Sequence, residues 1–207
     1  MSKGLKTTLI VAGVVLVVGF IIYRFTVGNY NQLVSLDETV KSAWSQVQNQ
    51  YQRRADLIPN LVATVQGAAT FEKETLTAVI EARAKATQVQ ITADDAINNP
   101  EKFRQFQQAQ DGLSSALSRL LVTVEQYPNL KANQNFLDLQ TQLEGTENRV
   151  GVERRRFNET VQSYNSKLRT FPTVFIAGMM GFQQRPYFEA SPDAQQAPKV
   201  DFSETKK

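Results

Sequence analysis

The sequence predicts an all-α protein, with an N-terminal transmembrane helix continuing into an antiparallel bundle of four long helices. Three observations carry this. Residues 7–23, TTLIVAGVVLVVGFIIY, form an apolar run without a charge. After it, Tyr30, Leu33, Asp37, Val40, Trp44, Val47, Tyr51 and Arg54 recur at alternating steps of three and four, the spacing of a helix packed on other long helices. Later stretches repeat that spacing, and the junctions between them hold Pro, Asn and Asp.

Taking the elements in order, the apolar run comes first. With Leu5 before it and residues 25–27 after it, the run reaches about 20 residues, enough to cross a hydrocarbon core of about 30 Å. Arg24 is placed to extend its head to the lipid headgroups. The competing reading is a cleavable signal peptide. The core is longer than an ordinary signal core and no small-x-small site follows it, which favours an uncleaved, single-pass anchor. Lys3 and Lys6 precede the span and Arg24 alone follows closely, so the charge rule places the body outside the cytoplasm.

The first body helix is expected over residues 28–55. Residues 56–59, DLIP, mark the next junction, because Pro disfavours helical geometry at the residue before it. A break is placed there, with a kinked continuous helix as the alternative. A second helix then covers residues 59–90, with a seam of Ile58, Val62, Val65, Ala69, Glu72, Leu76 and Val79. Residues 92–100, TADDAINNP, lack helical periodicity and are expected to be a loop. The third helix covers residues 101–126, with Phe103, Phe106, Gln110, Leu113, Leu117, Leu120, Val124 and Tyr127 along one face. Pro128 interrupts the pattern. The fourth helix runs to Arg169, with Phe136, Gln140, Leu143, Glu147, Val150, Arg154, Phe157, Val161, Tyr164 and Leu168 on its seam.

Phe171 and Pro172 end that helix. The apolar segment after it is too short to span a bilayer. It holds Phe175, Ile176, Met179, Met180, Phe182, Tyr187 and Phe188, a candidate interaction segment near the membrane. Its expected fates are packing over the bundle base, binding the lipid interface, or contacting another copy. Residues 191–207 are polar, contain Pro192 and Pro198, and are expected to be a flexible tail. The domain reading is therefore an anchor at 1–27, a bundle at 28–170, an apolar membrane-proximal segment at 171–190 and a tail at 191–207.

Composition bounds the chemistry. The chain has 207 residues, no Cys and no His. It lacks thiolate ligands, the commonest general base and the commonest transition-metal ligand. A di-iron bundle site needs Glu-x-x-His on two helices and is excluded. Of the 23 basic residues Lys3, Lys6 and Arg24 flank the span, which leaves the rest of the chain with 20 basic against 20 acidic residues. An electroneutral body gives no basis for nucleic-acid binding. No cofactor, catalytic constellation or small-molecule site is evident, and a non-enzymatic role follows.

Asp37, Arg54, Glu72, Glu147 and Arg154 stand where a seam calls for apolar residues. Antiparallel docking of the first and fourth helices puts Asp37 near Val161 and predicts an Arg54–Glu147 ion pair. Such a pair penalises slipped registers. The alternative is a ligand or partner site at these residues.

Several long stretches carry a family resemblance: YNQLVSLDETVKSAWSQVQNQYQRRADLIPNLVATVQGAATFEKETL at residues 30–76, LEGTENRVGVERRRFNETVQSYN at 143–165, and FPTVFIAGMMGFQQRPYFEA at 171–190, with PKVDF near the end. In these the chain resembles the LemA family of bacterial membrane proteins. The resemblance implies one N-terminal membrane helix and a helical-bundle domain, with no catalytic residues to carry over. It also implies a cytoplasmic body, opposite to the charge rule. A magnetosome membrane protein is similar to the family, which suggests work in organising membranes. Together these readings point to a scaffold or adaptor at the bacterial cytoplasmic membrane, acting on other membrane proteins or its own copies. The runner-up is a membrane-tethered sensory module that binds a ligand between its helices.

Overall fold

A computed structural model describes residues 3–67, 71–89 and 91–189. The described residues are all-α, in the order α1 (Lys3–Gln66), α2 (Lys73–Gln88), α3 (Ala93–Asn98), α4 (Pro100–Val124), α5 (Pro128–Lys131), α6 (Gln134–Arg169) and α7 (Thr173–Met179). The expected tail at 191–207 and seam residue Ala69 lie outside the described residues.

The apolar run and the first body helix are one helix. From residue 9 to residue 25 every side chain is exposed, and the helix is long and apolar enough there to cross a membrane. From Leu33 on, the same helix buries one stripe: Leu33, Val40, Trp44, Val47, Tyr51 and Arg54. The backbone of Leu5 is in α1, but its side chain is not among those described.

The expected break at Pro59 does not occur. Pro59 lies inside α1. A proline removes the N–H that would bond the carbonyl four residues earlier, here that of Ala55. Arg83 of α2 supplies the missing donor, its Nε reaching the Ala55 carbonyl at 2.9 Å. The helix instead ends at Gln66, and α2 starts at Lys73, so the expected 59–90 helix is two elements. Glu72 falls in the junction as the N-cap of α2 and is exposed rather than buried in a seam.

The expected loop at 92–100 contains a helix. Thr92 caps α3 by accepting from the Asp95 N–H at 3.1 Å, and Asp94 and Asp95 sit in the first turn, where carboxylates oppose the helix dipole. Six residues are too few to reveal a 3.6-residue period, yet Ala96 and Ile97 are buried. Asn99 then caps α4 through the Lys102 N–H, with Pro100 at the first helical position.

The chain divides into two compact units. The first draws its described residues from Met1–Gln52, Ile91–Phe103 and Thr146–Pro186. Its centre is aromatic: Trp44 lies 5.7 Å from both Phe103 and Phe157, which are stacked on each other at 6.0 Å. The second draws on Arg53–Gln90, Arg104–Gly145 and Tyr187–Lys207. Its core is largely aliphatic, built from Ile58, Leu61 and Val65 of α1, Leu76 and Val79 of α2, Leu113, Leu117 and Leu120 of α4, and Leu143 of α6, with Phe136 of α6 among them.

Candidate functional site

A dense polar cluster in the first unit forms around Arg185, a residue that periodicity does not reveal. It begins at Asp37, one turn before Lys41 on α1. Asp37 points inward because Leu33 and Val40 on either side of it are buried. Arg185 arrives from the irregular segment after α7. Gly181, with φ 76°, gives that helix a left-handed stop, and the Phe182 N–H bonds back to the Ala177 carbonyl at 3.0 Å. Asn165 of α6 then holds the backbone of Arg185 from both sides. Its Oδ1 accepts the Arg185 N–H at 2.9 Å, and its Nδ2 donates to the Arg185 carbonyl at 3.0 Å.

The guanidinium thus held is fully engaged. Its Nε and Nη2 donate to Asp37 Oδ1 at 3.1 and 2.6 Å. Its Nη1 donates to the Ile97 carbonyl at 3.4 Å and to the side chain of Asn98. The ring of Tyr164 faces the guanidinium carbon at 5.1 Å. The side chains of Arg185 and Asp37 are 7% and 14% exposed, so the pair is largely removed from water. α1, α3, α6 and the segment after α7 all meet here.

Lys41 extends the cluster outward. Its Nζ lies 3.5 Å from Asp37 Oδ2, 3.4 Å from Glu38 and 3.2 Å from Asp94. The hydrogen bond to Asp94 raises the Lys41 pKa above its ordinary value, partly opposed by burial and aided by Asp37. Burial pushes the Tyr164 hydroxyl up, with Arg185 opposing and Asp37 adding to the rise. With three acceptors around one guanidinium, the arrangement locks four chain segments together.

The second unit has its own polar centre. Arg54 is 1% exposed on α1. Its Nη1 donates to Ser114 Oγ at 2.7 Å, and its Nη2 to Gln110 Oε1 at 2.6 Å and the Gln110 carbonyl at 3.2 Å. Gln110 passes the connection on, donating to the Ala86 carbonyl at 3.2 Å, one of the last-turn carbonyls of α2 that has no helical donor.

Of the five seam residues expected to matter, Arg54 and Asp37 lie in these two centres. Glu72 and Glu147 are exposed, and Arg154 is half-buried. At the fourth-helix seam the buried position is Thr146, one residue before Glu147. Arg54 belongs to the second unit and Glu147 to the first, so their pairing remains an expectation. In the expected interaction segment, Ile176 and Phe188 are buried and Phe182 packs edge-on against Tyr30 at 5.7 Å. Phe175, Met179, Met180 and Tyr187 are exposed. Arg24 is exposed at the end of the apolar run. Among the described residues, no group of three or more metal-ligating side chains comes together.

The comparisons fit this geometry. The LemA family pattern matches residues 43–202, most of the chain. The chain belongs to the LemA family. The match begins beside Trp44 and takes in α3, Asn165 and Arg185, so the residues that build the lock, apart from those on the first part of α1, lie within the LemA pattern. The chain is 26% identical over 171 residues to Protein LemA of Metamycoplasma hominis, covering 83% of this chain and 74% of that protein. It is 25% identical to Magnetosome protein MamQ 2 of Paramagnetospirillum magneticum, covering 93% of this chain and 75% of that protein. Against Magnetosome protein MamQ of Magnetospirillum gryphiswaldense it is again 25% identical, over 79% of this chain and 65% of that protein.

Arg185 had one readable signal. Asp37 is an acid on an apolar stripe and requires a cation, and Arg185 is the one basic residue between positions 170 and 189. The two are 148 residues apart, beyond the reach of any local pattern.

Proposed function

We propose that this LemA-family protein is a non-enzymatic, membrane-anchored scaffold or adaptor that organises a membrane protein complex. The observation that carries the reading is the continuity of α1. One helix has a bare apolar stretch and then, without interruption, an inward-packed stripe. Force or position at the bilayer is thereby transmitted to the packed body without a hinge. The buried Arg185–Asp37 lock and the Trp44 centre stiffen the first unit around that helix. The apolar stretch crosses the bacterial cytoplasmic membrane once, and the working partners are membrane proteins or further copies of the chain. Relatives named as magnetosome proteins support a role at membranes.

A second reading is favoured by one feature. A cleft of about 550 Å³ lies between α2 and α4, with Glu72, Glu81, Lys85 and Arg119 among its lining residues. It would serve a sensory module that binds a ligand between helices. The charged lining residues are all exposed and of both signs, and the lining also holds small side chains such as Ala78 and Ala109. A specific ligand site ordinarily buries its occupant against convergent polar groups, so the scaffold reading is preferred.

The test is crosslinking in the native membrane with the anchor intact, followed by isolation of the crosslinked species. The scaffold reading predicts a defined oligomer or a stoichiometric partner. Recovery of monomer alone contradicts it. Topology reporters fused after Lys207 assign the side of the membrane that bears the body.

A further inference from the structure

We infer that α7 is a lipid-facing foot, seated in the anionic headgroup region beside the membrane span. The inference rests on the reading that α1 crosses the bilayer.

Three observations place it there. The first is position. Thr173 Oγ1 donates to Asn29 Oδ1 at 2.9 Å, which ties the start of α7 to α1 two residues beyond Val27, where the apolar span ends. At about 1.5 Å per residue that is about 3 Å along the helix. The interfacial layer on each side of the hydrocarbon core is roughly 5–7 Å deep, so α7 begins inside it. The Asn29 side chain also donates to the Phe25 carbonyl at 2.9 Å, fixing the tie to the last turn of the span.

The second is the split between the faces of α7. Thr173, Ile176 and Ala177 are buried against the first unit. Phe171, Val174, Phe175, Met179 and Met180 are exposed, Phe175 at 65% and Met179 at 85%. Aromatic and thioether side chains left bare on a short helix, next to an apolar span, match a helix lying in the membrane interface. The Tyr30–Phe182 contact and the left-handed stop at Gly181 fix the far end of the helix, so the bare face has a set orientation.

The third is charge. Residues 24–36 and 160–184 contribute Arg24, Lys167 and Arg169 and contain no Asp or Glu. Lys167 and Arg169 occupy the last turn of α6, immediately before α7. An anionic lipid surface attracts such a set, whereas a protein surface of mixed charge gains less from it.

The experiment uses the full chain, which has no native Cys. Single variants Phe175→Cys and Met179→Cys are spin-labelled and reconstituted into vesicles of phosphatidylcholine with phosphatidylglycerol. Val17→Cys and Val122→Cys serve as references within the span and on the exposed surface of α4. The ratio of oxygen to nickel-chelate accessibility is read for each. The foot predicts ratios at Phe175 and Met179 several-fold above that at Val122 and below that at Val17. It also predicts that omitting phosphatidylglycerol lowers them. Water-like ratios at positions 175 and 179, with a lipid-like Val17, overturn the foot while leaving the span intact. A water-like Val17 overturns the span reading itself. Spin–spin broadening at position 175 assigns the face to a second copy and also overturns the proposal.

Discussion

Nε of Arg83 donates to the main-chain carbonyl of Ala55 at 2.9 Å, and that carbonyl is the one whose helical donor Pro59 removes. The contact explains why α1 continues through a residue that ordinarily ends a helix. A carbonyl deprived of its partner costs roughly 1–3 kcal/mol when buried, so the guanidinium offsets most of what the proline takes away.

Arg83→Met is therefore expected to destabilise the protein by about 1–3 kcal/mol. In a Pro59→Ala background the new N–H at position 59 satisfies the same carbonyl, and the cost of Arg83→Met should shrink well below that. Urea unfolding of the four members of this double-mutant cycle checks it. Equal costs in the two backgrounds would separate Arg83 from the proline.

The lock between Arg185 and Asp37 is expected to be unforgiving. Removing one partner of a buried ion pair strands the other, at about 3–5 kcal/mol. Arg185→Met and Asp37→Asn should each fall in that range. Arg185→Lys should recover little, since one ammonium cannot meet Asp37, the Ile97 carbonyl and Asn98 together. The measurement is the thermal midpoint of the detergent-solubilised full chain.

Trp44 is fully buried between Phe103 and Phe157. Trp44→Ala opens a cavity at the point where α1, α4 and α6 meet and should cost about 3–5 kcal/mol. Val122→Ala, on the exposed face of α4, should change stability by less than about 0.5 kcal/mol.

Tyr164 gives a pH signature. Its folded pKa is raised, chiefly by burial, and that of Lys41 is raised chiefly by Asp94. A raised folded pKa keeps its contribution whole below the unfolded value, about 10 for both groups, and loses it as pH climbs through the folded value. Stability should fall on the alkaline side. Tyr164→Phe should flatten part of that fall. At neutral pH it should stay within about 1 kcal/mol of the parent, because the Tyr164 hydroxyl has no hydrogen-bond partner among the described residues. Unfolding midpoints between pH 7 and 11 read both effects.

The long elements were legible because each repeats one face many times. The third-helix stripe of Phe103, Phe106, Gln110, Leu113, Leu117, Leu120 and Val124 is buried throughout. On the fourth helix, Phe136, Leu143, Val150, Phe157, Val161, Tyr164 and Leu168 are buried, and only the polar positions between them differ. What escaped depends on partners far along the chain. Pro59 reads as a break until Arg83 is known to stand beside Ala55. α3 is too short to show a period. Arg185 lies in a segment with no period at all, and its role follows from Asp37, Asn98 and Asn165, which no local rule brings together.

The apolar stretch and the inward-packed stripe belong to one unbroken α1. Spin labels at Val17→Cys and Asn49→Cys, both exposed on that helix, test it in vesicles by pulsed electron–electron dipolar spectroscopy. Thirty-two residues of continuous helix place the labelled backbones about 48 Å apart. A single narrow distribution near that distance is the expected result. A broad distribution, or one centred well below about 40 Å, would show a hinge between membrane and body and contradict the account.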